Sequence, residues 1–344
     1  MCDPKQGFCL GDVPEGHWVE LEDSRLEDVF PRPGMVPGNP AAVVGAWSGG
    51  VYDSERNAMV LWGGGHADYA GNEVYAFDLD TTTWTRLTDP SLDVGGDEAS
   101  GYYPDGLPRS RHTYDYLVFV PDFDALCSVG GAGMYMSGQI TTTNFDCFDL
   151  ATHEWSARAP APIGTVAGIA DYDPQSGRVA YVGGPQLRYL SQYEPASDTW
   201  TAYGDNLTNG GLGLRLTGRV DPGARLFVGV GAGAIYTWGL DMKGEILQTA
   251  VSLANPPPDF DQSNPGLAYS DALGQLVWWG RSDSLWSLDL DAMSWVEHPV
   301  AADNTVSPPQ PVANGTYGRF RYVASEDVFV LVNAASDNVF VRRL

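Results

Sequence analysis

Short apolar runs, each ended by glycines and followed by a polar loop, recur along most of the chain. The clearest example covers residues 59–78, where an apolar run stops at three consecutive glycines and a second, alternating run ends at Asp78. Trp84 then opens a third run after a threonine-rich turn. Such short runs between glycine-rich and polar turns are typical of β-strands rather than helices.

The same unit returns with a spacing close to about 50 residues, which indicates a repeat protein. Four units carry both the glycines and the tryptophan, at Gly63 to Gly65 with Trp84, Gly130 and Gly131 with Trp155, Gly183 and Gly184 with Trp200, and Gly280 with Trp295. The fourth unit, near residues 228–240, has no closing tryptophan, and the sixth stops before its fourth strand. Residues 17–21 contain Trp18 and match the missing strand.

A hydrophobic strand, a glycine pair, a strand ending in Asp and a tryptophan at this spacing resemble the kelch motif of β-propellers. The resemblance covers residues 17–344 and implies an all-β, six-bladed propeller, with seven blades as the alternative count. The chain would then be one domain, residues 1–344, with an N-terminal segment over residues 1–40 and blades over residues 41–344. We expect the strand near residues 18–21 to pair with residues 338–342 and close the ring.

Loop length divides the predicted propeller into two faces. The turns at residues 53–57, 173–177 and 221–223 are short, and we call their side the turn face. Long irregular segments occupy the opposite side, which we call the loop face; they are residues 89–109, 205–213, 254–265 and 301–314. Because long loops in a compact domain usually carry function, the sequence predicts a site on the loop face.

The innermost strands place one residue of each unit at a common level around the axis. Aligned on their turns, these residues are Trp47, Tyr114, Ala167, Arg215, Asn264 and Tyr317. Large polar side chains at such a position lose hydration on folding unless a ligand or partner uses them. His112 lies two residues before Tyr114, and His66 falls in the adjacent loop of the first unit. We therefore predict His66, His112, Tyr114 and Arg215 as catalytic residues.

The formal net charge of −25, from 19 basic and 44 acidic residues, repels phosphates and argues against nucleic acid and anionic membranes as partners. Arginines that gather on one face of so acidic a chain predict an anion site, because the guanidinium binds carboxylates and sulfates in a bidentate manner. The predicted ligand-binding residues are Tyr69, Arg109, Arg111, Tyr135, Arg188, Tyr189, Arg281, Tyr317 and Arg319.

Other chemistries find less support in the sequence. There is no Gly-x-Ser-x-Gly nucleophile elbow, and the glycines at 63–65 are explained by the repeat. His66 and Asp68 form half of a metal site that His112 or Glu73 would extend. We predict no cofactor and no metal, and a metal ion near His66 and Asp68 remains the alternative.

The four cysteines allow three disulfide pairings, or free buried thiols. Cys127 and Cys147 fall on neighbouring predicted strands, and Cys2 and Cys9 would close a short N-terminal loop. No apolar run reaches the roughly 18 residues of a membrane span. Together with the acidity, these features predict a secreted or periplasmic monomer with no membrane partner, whose signal is not present in this numbering.

A propeller face with arginine, histidine and tyrosine resembles, in fold and residue types, propeller polysaccharide lyases such as the ulvan lyases. The resemblance implies β-elimination on an anionic, uronic-acid-containing polysaccharide or oligosaccharide, which needs a carboxylate neutraliser, a base and an acid. Tyr114 or His112 would be base or acid, His66 would assist, and Arg215 or Arg319 would neutralise the carboxylate. The alternatives are a non-catalytic carbohydrate- or protein-binding kelch propeller and an acidic-sugar hydrolase or isomerase.

Overall fold

Each repeat in the sequence folds into one four-stranded antiparallel sheet. The computed structural model describes residues 2–3, 8–136, 141–164, 166–183, 188–204 and 215–344. Over these residues, six such sheets follow one another around an axis, and almost no helix is present. The protein is a six-bladed β-propeller, which confirms the predicted fold and blade count. The predicted loop 205–213 and Gly184 lie outside the described residues.

The N-terminal segment forms a short two-stranded ribbon, followed by a strand that pairs with the last blade. These elements are β1 (Cys2–Asp3), β2 (Phe8–Cys9) and β3 (Trp18–Leu21). The first blade contains β4 (Val51–Asp53), β5 (Ala58–Leu61), β6 (Tyr75–Asp78) and β7 (Thr83–Arg86). The second contains β8 (Leu117–Val120), β9 (Ala125–Ala132), β10 (Thr141–Asp149) and β11 (Trp155–Arg158).

The next two blades have the same order from the axis outwards. The third contains β12 (Ile169–Asp173), β13 (Arg178–Val182), β14 (Ser191–Glu194) and β15 (Thr199–Ala202). The fourth contains β16 (Thr217–Asp221), β17 (Leu226–Gly231), β18 (Ala234–Gly239) and β19 (Thr249–Val251). The fourth blade thus has a complete set of strands although it lacks the closing tryptophan.

The fifth blade contains β20 (Gly266–Ser270), β21 (Gln275–Trp279), β22 (Leu285–Asp289) and β23 (Ser294–His298). The sixth contains β24 (Phe320–Val323), β25 (Val328–Leu331) and β26 (Val339–Arg342), with β3 as its outer strand. The helical elements are α1 (Ala42–Gly45) and 3₁₀ turns at Leu10–Asp12, Leu26–Val29, Glu98–Ser100, Pro121–Phe123 and Pro195–Ser197. Within the described ranges, the helices are all too short to cross a membrane.

The two ends of the propeller meet in the sixth blade, as the missing and spare strands predict. Strand β26 pairs antiparallel with β3, with Val339 opposite Leu21 and Arg342 opposite Trp18. Trp18 is 1% exposed, and its indole Nε1 donates to the carbonyl of Asp283 at 2.8 Å in the fifth blade. One side chain therefore joins the closing strand to the neighbouring blade as well as to its own.

The innermost strands approach one another so closely that glycine is required between them. A Cβ atom on Gly318, before β24, would lie 2.1 Å from the carbonyl oxygen of Gly50, before β4. Across the axis, Asp115 of the second blade forms a buried ion pair with Arg219 of the fourth, with Oδ2 and Nη1 2.8 Å apart. Its Oδ2 also accepts from the amide of Gly218 at 2.7 Å.

Cross-strand disulfide chemistry adds a covalent link to the second blade. Cys127 in β9 lies opposite Cys147 in β10, and the two form a disulfide. Cys9 is also disulfide-bonded, and the described residues contain no free cysteine. The expected link between neighbouring strands is confirmed for Cys127 and Cys147, and the free-thiol alternative is wrong for these two residues.

The closure leads to a stability prediction. Replacing Trp18 by Ala should lower the free energy of unfolding by about 3–5 kcal/mol, because it removes a buried aromatic side chain and the bond to the fifth blade. Urea unfolding followed by tryptophan fluorescence and circular dichroism measures this change. In the same strand, Glu20→Ala removes an exposed side chain and should change the stability by no more than about 0.5 kcal/mol. Equal effects of the two substitutions would contradict this role of Trp18.

Candidate functional site

One residue of each blade, just before the innermost strand, lines the loop-face opening of the axis. We call Trp47, Tyr114, Ala167, Arg215, Asn264 and Tyr317 the axial ring. Five of them have left-handed backbone conformations, with φ of 48° at Trp47, 42° at Tyr114, 63° at Ala167, 57° at Asn264 and 51° at Tyr317. Arg215 precedes β16 by two residues, as Ala167 precedes β12. Ala167, which has no reactive side chain, shares this conformation. The left-handed backbone is therefore a feature of the fold at this opening, and it does not mark a reactive residue.

Backbone hydrogen bonds connect the axial ring between blades. The amide of Tyr114 donates to the carbonyl of Trp47 at 2.6 Å, and the amide of Asn264 donates to the carbonyl of Arg215 at 3.2 Å. The amide of Thr316 in turn donates to the carbonyl of Asn264 at 2.9 Å. These bonds fix neighbouring blades relative to each other, so the ring side chains are held on a rigid support.

His112 stands at the centre of an aromatic group on the loop face. Its ring centroid lies 4.9 Å from Trp47, 5.6 Å from His66 and 5.9 Å from Tyr114. Tyr114 lies 6.0 Å from Tyr317, and each aromatic pair is in the range of favourable ring contacts. The structure therefore brings the predicted His66, His112, Tyr114 and Tyr317 together.

Asp68 orients His112. Its Oδ2 lies 3.1 Å from Nε2 of the imidazole, and His112 is only 4% exposed. Burial lowers the pKa of His112, the charge of Asp68 opposes this change, and the neighbouring His66 and Arg215 reinforce it. A Cβ atom on Gly133 would come within 2.8 Å of Nδ1, so only glycine leaves room at that nitrogen. When Nε2 carries the proton that Asp68 accepts, Nδ1 is the basic nitrogen of a neutral ring.

Arg215 supplies the positive charge at the ring. Its guanidinium carbon lies 5.2 Å from the Trp47 ring, a cation–π contact, and its side chain is half-buried. Among the described residues no carboxylate lies within ion-pair distance of it. Its charge lowers the pKa of His112 and opposes the rise that burial causes in the pKa of Tyr114. Within the described residues, this positive charge is therefore left for an anionic ligand at the ring.

Several buried polar atoms of the axial ring have no hydrogen-bond partner in the part of the chain that the structure describes. They are Nε1 of Trp47, the hydroxyl of Tyr317 and Oδ1 of Asn264. Buried polar groups are nearly always hydrogen-bonded in folded proteins, so each such atom needs a water molecule or a ligand. Two donors and one acceptor of the axial ring therefore have hydrogen-bonding capacity left over within the described residues.

Three of the arginines predicted to bind ligand are buried and have protein partners. Arg111 is fully buried and pairs with Asp146, and Arg109 donates to backbone carbonyls of the loop before it. Arg319 is fully buried and donates to the carbonyls of Ser48, Gly315, Val332 and Asn333, and burial lowers its pKa to about 9. Backbone carbonyls and a carboxylate engage these three guanidinium groups within the described residues, and their ligand-binding role stays a prediction.

Tyr69 is also an internal residue. It is fully buried, and its hydroxyl donates to Oε1 of Glu73 at 2.6 Å. Tyr75 donates to the same carboxylate oxygen at 2.6 Å, and burial raises the pKa of Glu73. The ligand-binding role of Tyr69 stays a prediction, and its hydroxyl is engaged by the carboxylate that Tyr75 also contacts.

The remaining predicted binding residues are more distant from the ring. Tyr135 is 8% exposed and packs in the apolar core of the first and sixth blades. Arg188 lies 5.8 Å from the ring of Tyr189, and both are half-buried at the boundary of the third and fourth blades. Arg281 is exposed and lies 3.8 Å from Asp261. Their ligand-binding role stays a prediction.

Trp47 and Asn264 lie on the axial ring, and no role was predicted for either residue from the sequence. The alignment of the innermost strands places both residues at the level of the axial ring. That alignment is the sequence signal that could have identified them. Within the described ranges, no group of three or more His, Cys, Asp or Glu side chains is arranged to hold a metal ion.

Two substitutions near His112 should shift its pKa in opposite directions. Asp68→Asn should lower the pKa of His112 further, because it removes the charge that favours the imidazolium. Arg215→Ala should raise it, because it removes a repelling positive charge. Titration of the imidazole carbon-bound proton by NMR measures both changes. His298, whose pKa is lowered by burial and by Arg342 at the edge of the fifth blade, should titrate unchanged in each variant. If both substitutions shifted the pKa of His112 in the same direction, the placement of Asp68 and Arg215 beside this imidazole would be contradicted.

Comparisons with known proteins agree on the architecture only. No protein-family model and no curated protein matches the chain. Among solved structures, 724 chains match its fold. One is a structural genomics protein of unknown function from Bacteroides thetaiotaomicron, which is 10% identical with a TM-score of 0.53 and matches over 96% of this chain and 73% of that chain. A likeness at this identity shows the fold alone, so the function has to be argued from the site.

Proposed function

We propose that this protein cleaves a uronic-acid-containing polysaccharide by β-elimination at the axial ring. The observation that carries the proposal is the placement of Arg215, without an acidic partner in the described chain, beside the His112 and Tyr114 pair. These three side chains match the charge neutraliser, base and acid that the reaction requires. The kelch-like repeat pattern and the residue types shared with ulvan lyases support the same proposal.

In the proposed reaction, His112 takes the proton next to the uronate carboxylate. The lowered pKa keeps the imidazole neutral near pH 7, and the bond to Asp68 directs its basic nitrogen away from the carboxylate of Asp68. The electron pair of the broken carbon–hydrogen bond forms the carbon–carbon double bond, and the glycosidic carbon–oxygen bond breaks. His66, in contact with His112, lines the same opening and assists.

Tyr114 would protonate the leaving oxygen. Burial raises the pKa of its hydroxyl, so the phenol keeps its proton at neutral pH and can donate it. Arg215 would pair with the substrate carboxylate, whose negative charge grows as the proton leaves. The unpartnered groups of Trp47, Asn264 and Tyr317 would then hydrogen-bond sugar hydroxyls.

Cross-linked cysteines favour an oxidising compartment, where such a polysaccharide is found. The disulfide between Cys127 and Cys147 would be kept reduced in most cytosols. We therefore propose a secreted or periplasmic protein that acts as a monomer on an extracellular polymer. The alternative, a carbohydrate-binding propeller without catalysis, would use the same charge and the same unpartnered polar groups.

The proposal predicts a new ultraviolet absorbance when the protein is incubated with sulfated or unsulfated uronate polymers, because elimination creates an unsaturated uronate. Tyr114→Phe and His112→Ala should each reduce kcat by about 10²- to 10⁴-fold while the melting temperature stays close to that of the wild type. Mass spectrometry of the products decides the reaction, since a double bond at the new non-reducing end identifies elimination.

Arg215→Ala should both raise KM and lower kcat, because the interaction exists in the bound substrate and strengthens in the transition state. Arg178→Ala is the matched control, since it removes the same charge from the turn face, where Arg178 pairs with Glu194. Saturable binding of the polymers without cleavage would instead establish the binding-module alternative. Cleavage without a double bond would establish a hydrolase, and neither binding nor cleavage would refute the polysaccharide site.

A further inference from the structure

The axis has a second cavity on the turn face, opposite the axial ring. Its volume is about 350 Å³, and residues of all six blades line it. The hairpin turns form its rim, with Ser54, Pro121, Pro174, Pro222 and Asp271. Cavities of this size hold small organic ligands when aromatic walls are combined with a few placed polar groups. This cavity has both features.

Aromatic rings form the wall of this turn-face cavity. One ring comes from each of five blades, and the residues are Tyr52, Phe119, Tyr172, Tyr269 and Tyr322. Three of the hydroxyls are engaged, by Asn57 for Tyr52, Asp122 for Tyr172 and Asp327 for Tyr322. These bonds fix the rings at the wall, so a ligand meets preformed apolar surface rather than mobile side chains.

Two partly exposed charged groups at the cavity have hydrogen-bonding capacity left over. Asp171 accepts from the amide of Val220 through Oδ2, at 2.9 Å. Arg321 donates through Nε and Nη2 to the carbonyls of Gly318 and Gly50, each at 3.0 Å. The remaining atoms, Oδ1 of Asp171 and Nη1 of Arg321, are 3.7 Å apart, which is too far for a direct hydrogen bond. A hydroxyl group can accept from Nη1 and donate to Oδ1 at once.

The charged side chains inside the cavity face opposite charges, and one further carboxylate, Asp271, lies on the rim. Arg219 is occupied by its buried ion pair with Asp115, and Arg321 faces Asp171. A charged ligand would therefore add an uncompensated charge in a partly buried site, which is costly. This argues against the uronate and sulfate groups that suit the loop face, and it favours an uncharged molecule with hydroxyl groups.

We propose that the turn-face cavity binds a neutral sugar, of monosaccharide size, between its aromatic wall and the Asp171–Arg321 pair. The sugar ring packs on the tyrosines, and one of its hydroxyls bridges the two charged groups. This site is separate from the axial ring, and it does not depend on the reaction proposed there. It gives the protein a second, uncharged carbohydrate specificity.

Titration with methyl glucoside, methyl galactoside, methyl xyloside and the charged methyl glucuronide tests the proposal. Methyl-labelled Val51, Val220 and Ala268 line the cavity and should show saturable NMR shifts with at least one neutral glycoside. The glucuronide should bind there at least tenfold more weakly. Arg215→Ala, at the axial ring, should leave the affinity for the neutral glycoside unchanged.

Tyr269 provides a matched pair of variants. Tyr269→Ala opens the wall and should weaken binding of the neutral glycoside at least tenfold, whereas Tyr269→Phe keeps the ring and should bind within about threefold of wild type. Circular dichroism checks that both variants fold. Absence of saturable shifts with every neutral glycoside would overturn the proposal and leave a water-filled cavity. Preference for the glucuronide, or full affinity in folded Tyr269→Ala, would overturn it as well.

Discussion

The pairing of β26 with β3 is the constraint on which the rest of the propeller depends. An open arc of six sheets would leave the first and last blades each with an exposed flank, and only the contacts between neighbouring blades would hold the angle between them. Closure sets that angle, and with it the distance at which the innermost strands face one another around the axis. The close contact between Gly318 and Gly50 is possible only at that distance. The pairing of β3 with β26, at the outer edge of the sixth blade, thus helps to set the width of both axial openings.

The axis divides into three levels with different chemistry. On the loop face, aromatic side chains lie beside Arg215, and several buried polar atoms have no partner among the described residues. In the middle, Asp115 and Arg219 form a buried pair between blades that are not adjacent in the ring. On the turn face, tyrosines line the cavity, Arg321 faces Asp171, and Asp271 lies on the rim. Low exposure at every level means that the surrounding blades, rather than solvent, determine protonation and hydrogen bonding.

The fold was predictable because each repeat contains its own signals. Glycines end the second strand, an Asp ends the third and a tryptophan begins the fourth, so local sequence alone identifies a blade. The closing strand followed from the strand count, and the axial ring followed from aligning the blades. These arguments need only the order of residues along the chain, together with the geometry that repeats impose.

The state of each arginine was not predictable in the same way. Arg215 and Arg319 come from equivalent regions of two blades, yet only Arg319 has its donors taken up by backbone carbonyls. Arg219 pairs with Asp115, 104 residues away, and Arg111 pairs with Asp146 on another strand of its own blade. Such partners depend on how closely neighbouring strands approach. The sequence pattern indicates on which face of the propeller a side chain lies. The packing of neighbouring strands determines whether that side chain has a carboxylate or a carbonyl partner within the protein.

The geometry of the closing pair also determines how the propeller responds to mechanical force. Trp18 and Arg342 face each other at one end of the β3–β26 pair, and the antiparallel arrangement places the segments before Trp18 and after Arg342 on the same side. Tension between these two segments would act first on the pair Trp18 and Arg342. The hydrogen bonds between the two strands would then break one after another from that end. The carbonyls of Leu10, Gly11 and Val13, which accept from Arg343, would have to be released first. A force applied between these two segments would therefore open the ring at a lower value than a force that shears the two strands along their length.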